Sequence, residues 1–265
     1  MVQNVMGEQW LQENQTLRMD ANSELFPADR RSFHTDRYHF AAAYCHGKRV
    51  LDGACGTGYG SSILGEVARE VAGIDCADDA VAYASSTYGA PHVAFQRSFV
   101  ELTPFEDASF DVVVSFETVE HTLCPEAHMR EIVRLLEPTA GRAILSVPNS
   151  WGLTDHHFFD FDLPQFEQLV GRFFGQAEFH YQNPADSATL PGIGPLVPGQ
   201  PAQCLIAVCS APRKELQVEN RLGAVMDEVY RNAFLRHNEY RTLAYRQNTN
   251  LPKRVINKLR SLRRG

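Results

Sequence analysis

The sequence predicts an α/β fold, a largely parallel sheet with helices on both faces. Two observations carry this. From Val50 to Val147, short runs rich in β-branched residues alternate with segments of helical spacing, and such alternation implies βαβ units. The strand-like runs also hold unbroken apolar stretches, VVV in FDVVVS above all. That suits strands covered on both sides.

Each element follows in order. Residues 1–35 are polar with scattered apolar positions and read as N-terminal helix and loop. Tyr38–Tyr44 (YHFAAAY) reads as a short amphipathic helix ended by Gly47. Val50–Gly53 is the first strand and Tyr59–Ala68 a helix. Glu70–Asp75 is the second strand and Ala77–Tyr88 a helix. His92–Gln96 is the third strand. Phe110–Ser115 is the fourth, followed by a helix over Pro125–Glu137. Gly141–Val147 is the fifth, closed by Pro148. Beyond it Phe166–Phe174 reads as helix, and Ala177–Tyr181 and Leu205–Cys209 as strands. Between those strands, Asn183–Pro201 is rich in Pro and Gly. It reads as a structureless functional loop, a lid or acceptor-specificity loop. Residues 214–246 carry helical spacing at Leu222, Val225, Met226, Val229 and Phe234. The chain divides into an N-terminal helical cap (1–36), an α/β domain (37–212) and a helical extension with a basic tail (213–265).

Composition excludes several function classes. With 44% hydrophobic and 22% charged residues, the 265-residue chain is an ordinary soluble globular protein. No apolar run reaches the roughly 18 residues that a membrane span needs. The first residues lack a basic-then-apolar pattern, so a cytoplasmic location is expected. Six cysteines show no C-x-x-C pair and no histidine cluster at zinc-finger spacing. They are expected to be reduced thiols, not a disulfide frame or metal site. From Arg213 onward there are 13 Lys/Arg against 5 Asp/Glu, although the whole chain carries −7. The body is therefore strongly acidic, and no nucleic-acid partner is expected. In 251–265, Leu251, Val255, Leu259 and Leu262 have helical spacing among basic residues. That segment suits the inner membrane face or a partner protein, and a solvated tail is the competing reading. A homodimer is allowed and not required.

The stretch VLDGACGTGYGSS, Val50–Ser62, reads as strand, tight turn and helix start. A P-loop needs Gly-Lys-Ser/Thr, but Tyr59 follows Gly58. A dinucleotide turn needs G-x-G-x-x-G, whereas Gly56, Gly58 and Gly60 give G-x-G-x-G. Asp52 decides: a carboxylate at the strand end repels a pyrophosphate and attracts a cationic ligand. S-adenosylmethionine carries an ammonium and a sulfonium and no phosphate. Gly56 and Gly58 let the backbone approach it closely. Asp75, at the end of the second strand, suits ribose hydroxyls, as in NAD enzymes.

The whole pattern resembles the class I S-adenosylmethionine-dependent methyltransferases, small-molecule branch, over roughly Arg37 to Ser210. LDGACGTGYGS resembles their first motif and GIDCADDAVAYA their second. VELTPFEDASFDVVVSFETVEHT and RLLEPTAGRAILSVPN resemble the stretches around their fourth and fifth strands, with Thr139-Ala140 where Gly-Gly is usual. The resemblance implies a Rossmann-like seven-stranded sheet of order 3-2-1-4-5-7-6, its last two strands an antiparallel hairpin. It implies a cofactor site at Asp52, Gly53, Ala54, Cys55, Gly56 and Gly58, with Asp75 on the ribose and Cys76 on the adenine. Many members hold the adenine amino group with an acid after the third strand. Here Arg97-Ser98-Phe99-Val100 stands there, leaving Ser98 and Phe99 for that role. Arg37 and Tyr38 sit where relatives hold the cofactor carboxylate; a surface pair is the plain alternative. Phe116 should line the cofactor beyond the fourth strand, with core packing as its alternative.

Methyl transfer to oxygen mainly needs positioning, helped by a general base. Neutral histidine suits that role. His121 in ETVEHT follows the fourth strand; His156 and His157 in TDHHFFDFD follow the fifth. A structural role for His121, and a solvated role for one of the other two, stay open. Asp155, His156, His157 and Asp160 lack further spaced ligands, so no metal is expected. The resemblance extends to bacterial enzymes of polysaccharide and glycosylated-metabolite pathways. It implies O-methylation of a sugar hydroxyl, in a glycan or a glycosylated metabolite. A quinone or lipid-like acceptor is the second reading, with Phe158, Phe159, Phe161 and Phe166 as an apolar pocket. A cofactor-binding, non-catalytic regulator stays open as a third.

Overall fold

The computed structural model describes residues 5–14, 18–154, 156–183, 192–196, 199 and 201–232, with side chains from residue 9 onward. Asp155, most of the Asn183–Pro201 connection and the basic segment 251–265 lie outside the described residues.

Eight strands form one sheet: β1 Arg49–Gly53, β2 Glu70–Asp75, β3 Val93–Arg97, β4 Val112–Phe116, β5 Arg142–Pro148, β6 Phe174–Gln182, β7 Ile193–Pro195 and β8 Cys204–Pro212. Their order is β3-β2-β1-β4-β5-β8-β6-β7. The first five run parallel, and β8 is antiparallel to both β5 and β6. This is the Rossmann-like arrangement expected, with β6 and β8 as the hairpin, plus one extra edge strand. That strand, β7, pairs with β6 through Tyr181↔Gly194. It corrects the expectation of a structureless connection. Three residues between glycines and prolines show no period of two, and only the open edge of β6 makes them a strand.

Among the described residues the sheet is accompanied by helices α1 Val5–Asn14, α2 Ala28–Ala42, α3 Tyr59–Gly65, α4 Asp78–Tyr88, α5 Pro125–Leu135 and α6 Leu163–Phe173. Two start earlier than expected. The first turns of α2 are too polar to show a stripe, yet the helix is continuous from Ala28 and buries Arg37, Tyr38 and Ala41. It therefore runs across position 36/37. In α6 the start signal is a capping box, Asp162 exchanging hydrogen bonds with Gln165.

Strand alternation sorts the core into two faces. Leu51, Val113 and Leu145 meet α5 and α6 on one side. Val50, Val112, Val114 and Ile144 meet Tyr38 and Ala41 of α2 and Leu64 of α3 on the other. With a period of two, Asp52 faces the α2–α3 side together with Val50. Residues 221–232 form a further helix. It docks through Glu228, which accepts from the backbone N–H groups of Glu126 and Ala127 at 2.8 Å each, at the start of α5. This satisfies donors that a helix N-terminus leaves free. Of its expected apolar face, Leu222 and Met226 are exposed and Val225 and Val229 half-buried.

Gly60 on α3 sits against the Tyr38 ring, and a Cβ there would fall inside it. Gly60→Ala is expected to lower the unfolding free energy by about 1–3 kcal/mol, the cost of overpacking. Urea denaturation measures this.

Candidate active site at the carboxyl ends of β1, β2 and β4

The sheet order reverses between β1 and β4, which makes their carboxyl ends the crevice of the fold. After Gly53 the chain turns through three left-handed residues, Ala54 (φ 61°), Gly56 (58°) and Gly58 (88°). The two glycines do different jobs. A Cβ on Gly56 would meet nothing within 4 Å, so its backbone is open to a ligand. A Cβ on Gly58 would lie 2.7 Å from Ala84 and 2.9 Å from Phe95. Gly58 therefore also serves helix packing and the entry to α3. Cys55 is buried, its N–H donating to the Ile74 carbonyl at 2.8 Å.

Asp52 also needs correction. Its side chain is 0% exposed and is not presented to a ligand. It accepts from the Ser61 hydroxyl at 2.7 Å and from the Tyr38 hydroxyl at 3.3 Å. Burial pushes its carboxyl up to about 7, and the two hydroxyls hold it back from going further. Tyr38 is thus a partner of Asp52. Its ring meets those of Tyr59 and Phe116 edge-on.

Asp75 is buried at the end of β2 and receives two backbone N–H groups, from Gly56 at 3.1 Å and Ala77 at 3.0 Å. Both its oxygens also accept from Arg18, at 3.3 Å each. Arg18 belongs to an N-terminal strap across this edge. Thr57 donates to the Met19 carbonyl at 2.8 Å, Trp10 stacks on Tyr83 of α4, and Asp20 accepts from the Tyr83 and Tyr88 hydroxyls. Beside Asp75, Cys76 is exposed and its thiol is raised, first by burial and then by Asp75. Ser98 is pinned through its N–H to the Asp75 carbonyl at 2.9 Å, and the Phe99 ring is 58% exposed.

The β4 edge is charged. Arg37 is buried and does not offer a free guanidinium, contrary to the sequence expectation. It pairs with Glu117 at 2.8 Å and donates to Ser146 at 3.3 Å and to His34 at 2.9 Å. Burial first, then Arg37, lowers His34 to about 3, leaving it a neutral acceptor. Phe116 is buried against Tyr38 and near the Arg37 guanidinium. Glu117 has a left-handed φ of 50°. His121 follows in a short 3-10 turn, Val119–His121. Its Nδ1 donates to the His156 carbonyl at 2.8 Å, which leaves Nε2 bare. Its ring stands edge-on to His157 at 4.8 Å. The structure thus brings His121 and His157 together, while His156 contributes its carbonyl. Burial lowers the His121 imidazole from its ordinary value.

Residues 51–144 match the methyltransferase domain family. A probable S-adenosylmethionine-dependent methyltransferase of Mycolicibacterium smegmatis is 37% identical over 112 residues, 42% of this chain and 42% of that protein. Residues 51–144 are thus similar to S-adenosylmethionine-dependent methyltransferases. A ubiquinone biosynthesis O-methyltransferase of Idiomarina loihiensis is 33% identical over 106 residues, covering 39% of this chain and 43% of that protein. The chain thus matches about two fifths of the length of these curated relatives. In fold, the chain is similar to a possible histamine N-methyltransferase from Thermotoga maritima, with TM-score 0.57 and 13% identity over 69% of this chain and 91% of that one. A protein from Pyrococcus horikoshii gives TM-score 0.56 at 19% identity, over 77% and 99% of the two chains.

Three residues at the edge of the candidate site carried no assignment from the sequence: Arg18, Glu117 and Glu120. Glu117 and Glu120 carried one usable signal, two acids three residues apart directly before His121. Arg18 carried none, because its contact spans 57 positions.

Asp52 has an ordinary value of 3.8 and is raised when folded. The folded state therefore binds the proton more tightly, and this contribution to stability is lost as pH rises from about 4 through about 7. Asp52→Asn is expected to flatten the fall in melting temperature between those pH values, measured by thermal denaturation across pH.

Proposed function

We propose that the chain transfers the methyl group of S-adenosylmethionine to a hydroxyl of a small-molecule acceptor, a sugar hydroxyl foremost. One juxtaposition supports this reading: a carboxylate suited to ribose hydroxyls ends β2, and a histidine with a bare Nε2 follows β4. The residues fit the cofactor. Gly56 has open space beside its Cα, and the Arg18 bond to Asp75 is replaceable, because Arg18 comes from a separate strap. Once bound, the cofactor supplies an electrophilic methyl. The chain's own work is positioning and proton handling. Asp75 accepts from two hydroxyls in place of Arg18, and His121 Nε2 takes the proton of the acceptor hydroxyl. Burial keeps that imidazole neutral to lower pH than usual.

The sugar reading gains support from Trp151. Its indole N–H donates to the Gln203 carbonyl at 3.1 Å, while the residue stays 52% exposed. An anchored ring with a free face suits stacking on a sugar. The lipid-like reading draws on the relatives, which include a phthiotriol/phenolphthiotriol dimycocerosates methyltransferase of Mycobacterium ulcerans, 33% identical over 109 residues, 40% of each chain. The phenylalanine pocket does not support it: Phe161 and Phe166 are buried in the core.

Asp75→Ala is expected to weaken S-adenosylhomocysteine binding at least about tenfold by calorimetry, the worth of one charge-assisted hydrogen bond. Arg18→Ala is expected to tighten it. Equal binding by wild type and Asp75→Ala would refute this donor site. With sugars, nucleotide sugars and quinones as acceptors, His121→Ala is expected to lower kcat about 100-fold or more. The acidic limb of the wild-type kcat profile should lie below pH 6.5, the ordinary histidine value.

A further inference from the structure

The carboxylate of Glu120 is 1% exposed, and neither of its oxygens has a hydrogen-bond partner. Burial and the neighbouring Glu117 both disfavour its charge. Protonation alone leaves the orphan oxygens unmatched, and such groups are costly inside a protein. What lies beside them is a pair of imidazoles. His121 Nε2 is 3.8 Å from Glu120 Oε1. The ligand-type atoms of Glu120, His121 and His157 all lie within 4.8 Å of one another.

We propose that Glu120, His121 and His157 form a binding site for a divalent first-row cation at the mouth between the β4 and β5 loops. Three features of the geometry point there. First, a metal-bound histidine commonly donates its other N–H to a carbonyl, which fixes the ring and its tautomer. His121 does this with the His156 carbonyl. Second, the two loops are stapled together. The Glu120 carbonyl accepts from the Phe158 N–H at 2.6 Å and the Phe159 N–H at 3.2 Å, and the His157 N–H donates to Thr154 Oγ1 at 2.9 Å. Third, ligands about 2.1 Å from a tetrahedral ion stand about 3.4 Å apart. The cluster, within 4.8 Å, is close to that spacing, and binding would draw the three side chains together.

Two imidazoles and one carboxylate favour zinc-like borderline ions over magnesium or calcium, which prefer oxygen cages. The His121 side chain is 42% exposed, so the ion keeps an open position toward solvent. Three protein ligands plus an open position is the catalytic type of site. The ligand set differs from the one weighed in the sequence: His156 and Asp160 do not enter it, Glu120 and His121 do, and Asp155 lies outside the described residues. The role of the ion rests on the methyl-transfer reading; its binding does not. With an ion bound, Glu120, His121 and His157 would hold it and it would supply Lewis-acid chemistry to the acceptor oxygen; the role of His121 Nε2 as base belongs to the ion-free site.

The test uses the full chain without an affinity tag, in a Cys76→Ser background, since Cys76 is the exposed cysteine. The chelator-stripped protein is titrated with Co²⁺, with no methyl donor or acceptor present. Saturation at one equivalent with intense visible ligand-field bands is expected, displaced by Zn²⁺ and not by equal Mg²⁺. Glu120→Gln and His157→Ala should each weaken binding at least about tenfold, while His156→Ala leaves it unchanged. Thermal melts establish that each variant is folded. His157 is only half-buried, so its variant keeps the test valid if Glu120→Gln unfolds. No saturable binding, equal binding in a folded His157→Ala, or displacement by Mg²⁺ would overturn the proposal.

Discussion

A buried carboxylate at the end of β1 holds the candidate site together. Asp52 joins three elements at one point: its own strand, α3 through Ser61, and α2 through Tyr38. Burying an acid is expensive, and the two hydroxyls offset part of that cost by donating to it. The Tyr38 ring then fills the space that Gly60 leaves on α3. Removing any one member leaves the others either unpaired or overlapping. The left-handed turn at Ala54, Gly56 and Gly58 is thereby clamped from behind, and its open face is left to Gly56.

The same edge contains three further acids, two of them satisfied within the chain. Asp75 is satisfied by backbone N–H groups and by Arg18 from a distant strap. Glu117 is neutralised by the buried Arg37, and its left-handed backbone is the kind of strain that functional edges retain. Glu120 has neither solution. An α/β crevice tolerates such residual polarity because ligands complete it. Under the proposed methyl transfer, the groups at β1 and β2 would serve the donor and those at β4 and β5 the acceptor, the separation that an in-line reaction needs.

Much of the fold was legible in the sequence. Continuous apolar strands such as β4 announce themselves, because burial on both faces demands it. The order of the five parallel strands followed from the resemblance. What could not be read was set by tertiary contact. The start of α2 is polar and gains its stability from Arg37 and Tyr38 in the interior. The edge strand β7 depends on the free edge of β6. In the site, Asp75 and the glycine turn were legible from type and spacing. The burial of Asp52 was not, since a strand-end acid reads alike whether it faces a ligand or two hydroxyls. The pairing of His121 with His157 spans 36 positions and two loops, and no local pattern records it.

The most direct test is a crystal structure with S-adenosylhomocysteine bound. Both ribose hydroxyls are expected on the Asp75 carboxylate, with Arg18 displaced from it and the ligand sulfur facing His121. A ligand seated elsewhere, or bound with the Arg18–Asp75 pair intact, would contradict this expectation.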